Sequence, residues 1–402
     1  MSAPGVLILT TYPYAMPLQG GQVRVANIAR TYATAGFRVQ SISVYAEESA
    51  ADVAEAAKDV PFPADSPFRL FHGRHEPHLI DLQTGHFAAG DASGFARIRA
   101  LIAEPPAVIH LEQPWLLPLV ERLMNEGVAT GARLVYGSQN IEWRLKEQVL
   151  QRKPMEGVAE AIEEIRRIEE RACGLADLVL ACSAADQAAL IAMGARRCLL
   201  AGNGIARDEV RVALARKWRK ALPGRFALFV SSSHPPNITG FVECLGTSLA
   251  FLPPDQAICV AGGVGRHIAP AFETGPWREV NRGRLRVLGF LDPPNLAALK
   301  SLAHLFILPI REGGGSNIKA AEALNSGKHV LGTAVGLRGF EVLTQQLDGV
   351  HVENDPGRFR AELTRLLGSP PLLPDPALAP LRDSLLWHNT LSGLSAAVLK
   401  LL

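Results

Sequence analysis

Short, nearly continuous apolar runs alternate along this chain with longer stretches in which apolar residues recur every three to four positions. The runs VLILTTY (6–12), RVQSISVY (38–45), AVIHLEQ (107–113), RLVYGSQ (133–139), DLVLACS (177–183) and RRCLLAGN (196–203) each end in polar or Gly-rich residues. Runs that are apolar at successive positions predict strands covered on both faces. Between the first two lies GQVRVANIARTYATAGF (21–37), of helical period and stopped by Gly36. Strand–helix alternation of this kind predicts βαβ units and a parallel sheet. The pattern then restarts with FALFVSS (226–232), AICVAGG (257–263), LRVLGF (285–290), HLFILPI (304–310) and HVLGTA (329–334). The expected architecture is therefore α/β, with two doubly wound, Rossmann-like domains. The junction is placed near 202–224, where Gly202, Gly204 and Pro223 cluster around the polar RKWRKALPGR (216–225). The domains expected are 1–205 and 206–380. The Pro-rich SPPLLPDPALAP (369–380) cannot form one helix. Residues 381–402 have helical apolar spacing and are expected to form a closing helix that packs back on the first domain.

Composition narrows the function. The 402 residues carry 41 Lys+Arg against 39 Asp+Glu, a net charge of +2. That balance argues against a protein built to neutralise nucleic-acid phosphates, so no nucleic-acid partner is expected. The five cysteines form no CxxC pair, which fits free thiols in a reducing compartment. No apolar run reaches the ~18–20 residues of a membrane span. The first residues, MSAPGVLILTTYP, lack the basic region and cleavage site of a secretion signal. A cytoplasmic protein is expected.

In doubly wound sheets ligands bind beyond the carboxyl ends of the strands, so the residues that follow each strand matter most. PLQGGQVR (17–24) follows the first strand, and Gly20, Gly21 and Arg24 offer an anion site at a helix start. The same double glycine also suits a plain reversing loop. In REGGGSNIKAAEALNSGK (311–328), Gly313, Gly314 and Gly315 open a helix whose first turns carry Ser316, Asn317 and Lys319. Free amides and one lysine make a phosphate cradle. Glu322 is one turn beyond Lys319 and can accept hydrogen bonds from vicinal hydroxyls such as those of a ribose. SSSHPPNITG (231–240) offers Asn237 after a rigid Pro-Pro pair, and taken alone reads as a loop. His72, His75 and His78 have metal-like spacing, but strand-and-loop surroundings would not align their rings, and no metal site is expected. The charge-dense EAIEEIRRIEERACGLA (160–176) reads as a solvated helix face. Trp218, amid basic residues, reads as part of an exposed linker helix, with contact to anionic lipid as the alternative.

The order of these segments resembles the GT-B glycosyltransferases, specifically the family 4-like enzymes of bacteria, in the subgroup with a Pro-Pro-Asn loop. GSQNIEWR (137–144) resembles a His-Asn-(Ile/Val)-Glu segment with Gln139 in place of the His. IEERACGLADLVLACSAAD (168–186), FVSSSHPPNITG and, most specifically, the stretch 288–341 follow in family order. The resemblance implies two Rossmann-like domains facing a cleft, acceptor domain first, with the last helix crossing back. It implies sugar transfer from a nucleotide diphosphate donor, with retention, without an obligatory metal and without a cofactor. Glu322 would hold the ribose, and Ser316, Asn317 and Lys319 the diphosphate. Gly289, Phe290 and Leu291 would recognise the base, and Gly20 and Gly21 would close over the diphosphate. His110, Glu112 and Glu312 are the candidates at the reacting centre. The acceptor implied is a surface glycan, its lipid carrier or a small molecule, which leaves room for peripheral contact with the inner face of a membrane.

The chain also departs from the family. Gly314 stands where many relatives carry the first of two glutamates, and 231–240 lacks the usual Arg and Lys. A sugar-nucleotide epimerase and a non-catalytic binding protein on this fold are the competing readings. Base, sugar, acceptor and oligomeric state are not legible.

Overall fold

The computed structural model describes residues 3–50, 54–55, 57–151, 155–222 and 224–402. They form two compact units, Met1–Gly202 with Thr390–Leu402, and Asn203–Asn389. Pro223, part of the expected junction, lies outside the described residues.

The first unit contains β1 (Gly5–Thr10), β2 (Arg38–Ala46), β3 (Asp59–Phe62), β4 (Leu70–Phe71), β5 (Arg74–His75), β6 (Val108–Glu112), β7 (Arg133–Gly137), β8 (Leu178–Ala181) and β9 (Cys198–Leu200). Seven of these make one sheet in the order β3-β2-β1-β6-β7-β8-β9, and β4 and β5 form a separate antiparallel ribbon. All neighbours in the large sheet run parallel. Every residue of β6 and all but the first of β1 are buried. Their unbroken apolar runs follow from helices that cover both faces. β3 is a strand that hydrophobic pattern alone does not reveal, being four residues long with Pro61 inside it.

The second unit contains β10 (Arg225–Val230), β11 (Gln256–Ala261), β12 (Leu285–Gly289), β13 (Leu305–Leu308), β14 (His329–Gly332) and β15 (Val350–Val352). Their order is β12-β11-β10-β13-β14-β15, again parallel throughout. Each sheet therefore reverses direction beside its first strand, at β1/β6 and at β10/β13. Such a switch point parts the loops above it and leaves a crevice for a ligand.

The expected closing helix over 381–402 is instead three short ones, Ala379–Asp383, Trp387–Thr390 and Leu394–Leu399. The break has a physical cause. Ile205 donates to Leu385 O (2.9 Å) and Trp387 donates to Ile205 O (3.0 Å), so this stretch spends its backbone groups on a parallel bridge. The last thirteen residues, Thr390–Leu402, belong to the first unit, where Leu394 and Val398 are buried and Arg133 donates to Leu401 O (2.8 Å).

Candidate active site

In the second unit the loop after β13 is built around positive-φ glycines. Gly313 (φ 127°) and Gly315 (φ 59°) adopt conformations that side chains resist. Arg338, 23 residues beyond Gly315, braces the turn. Its Nε donates to Gly315 O (2.6 Å), Nη2 to Gly314 O, and Nη1 to Val335 O (2.8 Å). Because a trans peptide points its N–H opposite its carbonyl, the amides of Gly315 and Ser316 face away from the guanidinium. Asn203 donates to Ser316 O and Oγ, and Asn317 donates to Gly336 O.

The helix Ile318–Asn325 then brings Lys319 to the switch point. Its ammonium donates to Asn237 Oδ1 (2.7 Å) and Ser231 Oγ (3.1 Å), both neutral acceptors on the loop and helix that follow β10. Asn237 is itself oriented by donating to Ser232 O (3.1 Å). Burial, with the nearby positive charge of Arg338, pulls Lys319 down to about 8. Burial, Lys319 and Arg338 likewise hold His234 below its ordinary range. This corner thus concentrates positive charge and oriented donors, the electrostatics that suit a multiply charged anion.

Glu322 lies one turn beyond Lys319. It accepts from Lys300 Nζ (3.0 Å), which also pairs with Asp208 (2.8 Å). Gly289, Phe290 and Leu291 leave β12 at the carboxyl end of the sheet. Gly289 has φ 65° and Phe290 is 76% exposed. Glu312 is exposed on the loop. Of the expected residues in this unit, Asn237, Gly313, Gly314, Gly315, Ser316, Lys319 and Glu322 gather around the switch point and the first turns of its helix. Arg338, Lys300 and Asn203 contact these residues, Asp208 pairs with Lys300, and none of the four was singled out by sequence reasoning. Lys300 left a trace, as a lone charge in the apolar stretch LAALKSLAHL.

The first unit holds a buried polar cluster at the carboxyl end of β6. His110 and Glu112 are both buried, and His110 Nε2 donates to Glu112 Oε2 (2.8 Å). His110 Nδ1 lies 3.0 Å from the Tyr32 hydroxyl. Gln139 donates to the other Glu112 oxygen (2.9 Å), where Arg24 Nε also lies at 3.5 Å. Burial disfavours the Glu112 charge, yet the His110 hydrogen bond, Arg24 and Gln139 together hold its carboxyl below the ordinary range. Arg24 is therefore turned inward, with Nη1 donating to Ala201 O (2.8 Å), and not toward an anion at the helix start. His110 and Glu112 likewise have no exposed surface on which to meet a substrate. Gly21 has a packing reason, since a Cβ there would press on Gln139 and the Tyr12 hydroxyl. Gly20 is the first residue of the helix Gly20–Thr34. Nearby, Glu169 caps the helix Glu142–Leu150 by accepting from the amides of Glu142 (3.0 Å) and Trp143 (3.1 Å). Burial pushes Glu142 up to about 7.

Among the described residues no cluster of His, Cys, Asp and Glu is arranged to hold a metal ion. His72 instead pairs with Glu160 Oε2 (3.0 Å). Among them, too, no helix is long and apolar enough to cross a membrane. Trp218 donates from its indole to Asn295 Oδ1 (3.0 Å), which turns the ring onto the helix Pro293–Leu302.

Comparison with known proteins agrees with this architecture. Residues 226–369 match the family described as glycosyl transferases group 1, and residues 19–204 match the glycosyl transferase 4-like domain. The chain belongs to this family and is a GT-B glycosyltransferase. No curated protein matches it by sequence. Among solved structures, sucrose-phosphate synthase from Thermosynechococcus elongatus is similar over 99% of this chain and 97% of its own, with a TM-score of 0.66 at 17% identity. Alr3699/HepE from Anabaena, solved with UDP and glucose, covers the same shares with a TM-score of 0.61 at 16% identity. WaaG, a glycosyltransferase involved in lipopolysaccharide biosynthesis, matches 97% of this chain and 95% of its own, with a TM-score of 0.60 at 16% identity. Identities this low carry the fold alone.

Proposed function

We propose that this glycosyltransferase takes its sugar from a nucleoside diphosphate donor whose diphosphate sits at the β10/β13 switch point. The observation that carries the reading is Lys319. A half-buried ammonium whose hydrogen-bond partners are a hydroxyl and an amide oxygen stands on the helix that directly follows a glycine turn. An anion there is compensated at once by the lysine and the turn. As the bond from the sugar's anomeric carbon to the diphosphate breaks, negative charge grows on the leaving oxygen. Preorganised donors at that point lower the barrier most. Transfer proceeds with retention, the departing phosphate taking the proton of the acceptor hydroxyl. This route needs no protein nucleophile, consistent with the burial of His110 and Glu112. The leaving charge is carried by Lys319 and backbone amides, so the reaction has no obligatory metal and no cofactor.

The acceptor in this reading is a bacterial surface glycan, free or lipid-linked. WaaG, which shares the fold, is one glycosyltransferase involved in lipopolysaccharide biosynthesis. Work at the inner face of a membrane is supported by the exposed Arg216, Lys217, Arg219 and Lys220 on the helix Val212–Ala221, since such a face is attracted to anionic lipid.

The test is a thermal-shift screen over UDP-, GDP- and ADP-sugars, because a ligand of the folded state raises its apparent stability by mass action. At least one donor class raises the midpoint in wild type and fails to do so in Lys319→Ala. No shift with any of them overturns the donor reading.

A further inference from the structure

Beside Glu322 the second unit contains a cavity of about 250 Å³, lined by Arg207, Asp208, Lys300, Glu322 and Asn325 among others. The Lys300 side chain is only 10% exposed, whereas those of Asp208 and Glu322 are 42% and 27% exposed. One ammonium thus stands between two carboxylates that both reach the opening. It lies 2.8 Å from Asp208 Oδ2 and 3.0 Å from Glu322 Oε1. Among the described residues none donates to Glu322 Oε2.

We infer that Lys300 and Asp208 complete, with Glu322, a clamp for the vicinal hydroxyls of a ribonucleoside. The inference rests on the donor reading above and goes beyond the family resemblance, which gives Glu322 alone to the ribose. The geometry points to a clamp for three reasons. A ribose offers two adjacent hydroxyl donors, and the cavity offers two adjacent carboxylates to accept them. An ammonium held between those carboxylates fixes their orientation and offsets the repulsion of bringing them together. The spacing also fits, because Glu322 follows Lys319 by one helical turn, ~5 Å along the axis. A diphosphate on Lys319 therefore directs its ribose toward this cavity. Lys300 acts here as a positioning residue, and Asp208 and Glu322 touch the substrate.

The alternative is that Lys300 merely ties the segment around Asp208 to two helices. Such a tie would affect stability without regard to the sugar of the nucleotide. The test is isothermal titration of UDP, GDP and ADP, each beside its 2′-deoxy and 3′-deoxy form, with inorganic pyrophosphate as a reference for the phosphate site. Wild type is expected to prefer the ribonucleotide by about tenfold or more, since a site built to bond a hydroxyl rejects the analogue that lacks it. Lys300→Met and Asp208→Asn are expected to bring that ratio close to one while pyrophosphate binds as in wild type, and Lys300→Arg is expected to restore part of it. An unchanged ratio in both Lys300→Met and Asp208→Asn, with pyrophosphate binding intact, overturns the clamp and leaves the donor reading standing. If Lys300→Met does not fold, Asp208→Asn, at the more exposed position, decides alone. Wild type that binds neither pyrophosphate nor any nucleotide overturns the donor reading, and the clamp with it.

Discussion

Lys319 shows how a single residue carries the site. Its shift from an ordinary 10.5 to about 8 corresponds to roughly 3 kcal/mol of disfavoured charge in the ligand-free protein. An anion at the switch point would reverse that penalty, as the proposed phosphate site requires. The sign of the pH dependence follows. Below about pH 8 the lysine is charged and binds the anion, and above it the proton is lost. Nucleoside diphosphate affinity is expected to fall about tenfold between pH 7 and pH 9, measured by titration calorimetry at constant ionic strength. An affinity flat across that range would separate Lys319 from the ligand. At this scale the sequence was partly readable. Lys319 and Glu322 could be put forward from sequence because a glycine turn, a base and an acid share one helix start. Arg338 and Asp208 were not, since they reach the site through tertiary contacts that no local spacing encodes. His110, Glu112 and Arg24 showed the opposite failure. The first two looked catalytic and Arg24 looked like part of an anion site, and only three-dimensional packing reveals a closed, buried network.

Among the elements, the helix Pro235–Leu245 delivers Asn237 to Lys319 and depends on one close approach. A Cβ at Gly240 would collide with the backbone of Pro309–Arg311, at the exit of β13. Gly240→Ala is therefore expected to push the helix away from the loop that it shares with Lys319. The expected outcome is a loss of about 1–3 kcal/mol in denaturant unfolding, together with weaker nucleotide binding. Gly283→Ala, where an added methyl meets open space within the helix Arg278–Arg284, is the control: it leaves nucleotide binding unchanged and does not lower stability. The elements themselves were largely readable, because strands buried on both faces leave continuous apolar runs. The exceptions are informative. β3 is short and carries a proline, β15 has three residues, and the tail splits because its backbone pairs with Ile205. Short strands are set by their neighbours more than by their own pattern.

For the whole molecule, a net charge of +2 does not tell where ionisable groups are placed. The first unit buries Glu112, Glu142 and Glu169 in its interior, while the second collects Lys319, Arg338 and His234 at its switch point. Two α/β units and a returning tail were readable from the restart of the strand pattern, and the family from the order of its motifs. The choice of sugar and acceptor was not, since those are read by loop shape. In the proposed donor site a nucleoside diphosphate binds the second unit through Lys319. Titration calorimetry of UDP, GDP and ADP into wild type and Lys319→Ala at pH 7 tests it most directly. At least one of them is expected to bind wild type saturably, with affinity weakened at least tenfold, about 1.4 kcal/mol, in the variant. Equal affinities in the two proteins, or no binding to wild type, would contradict it.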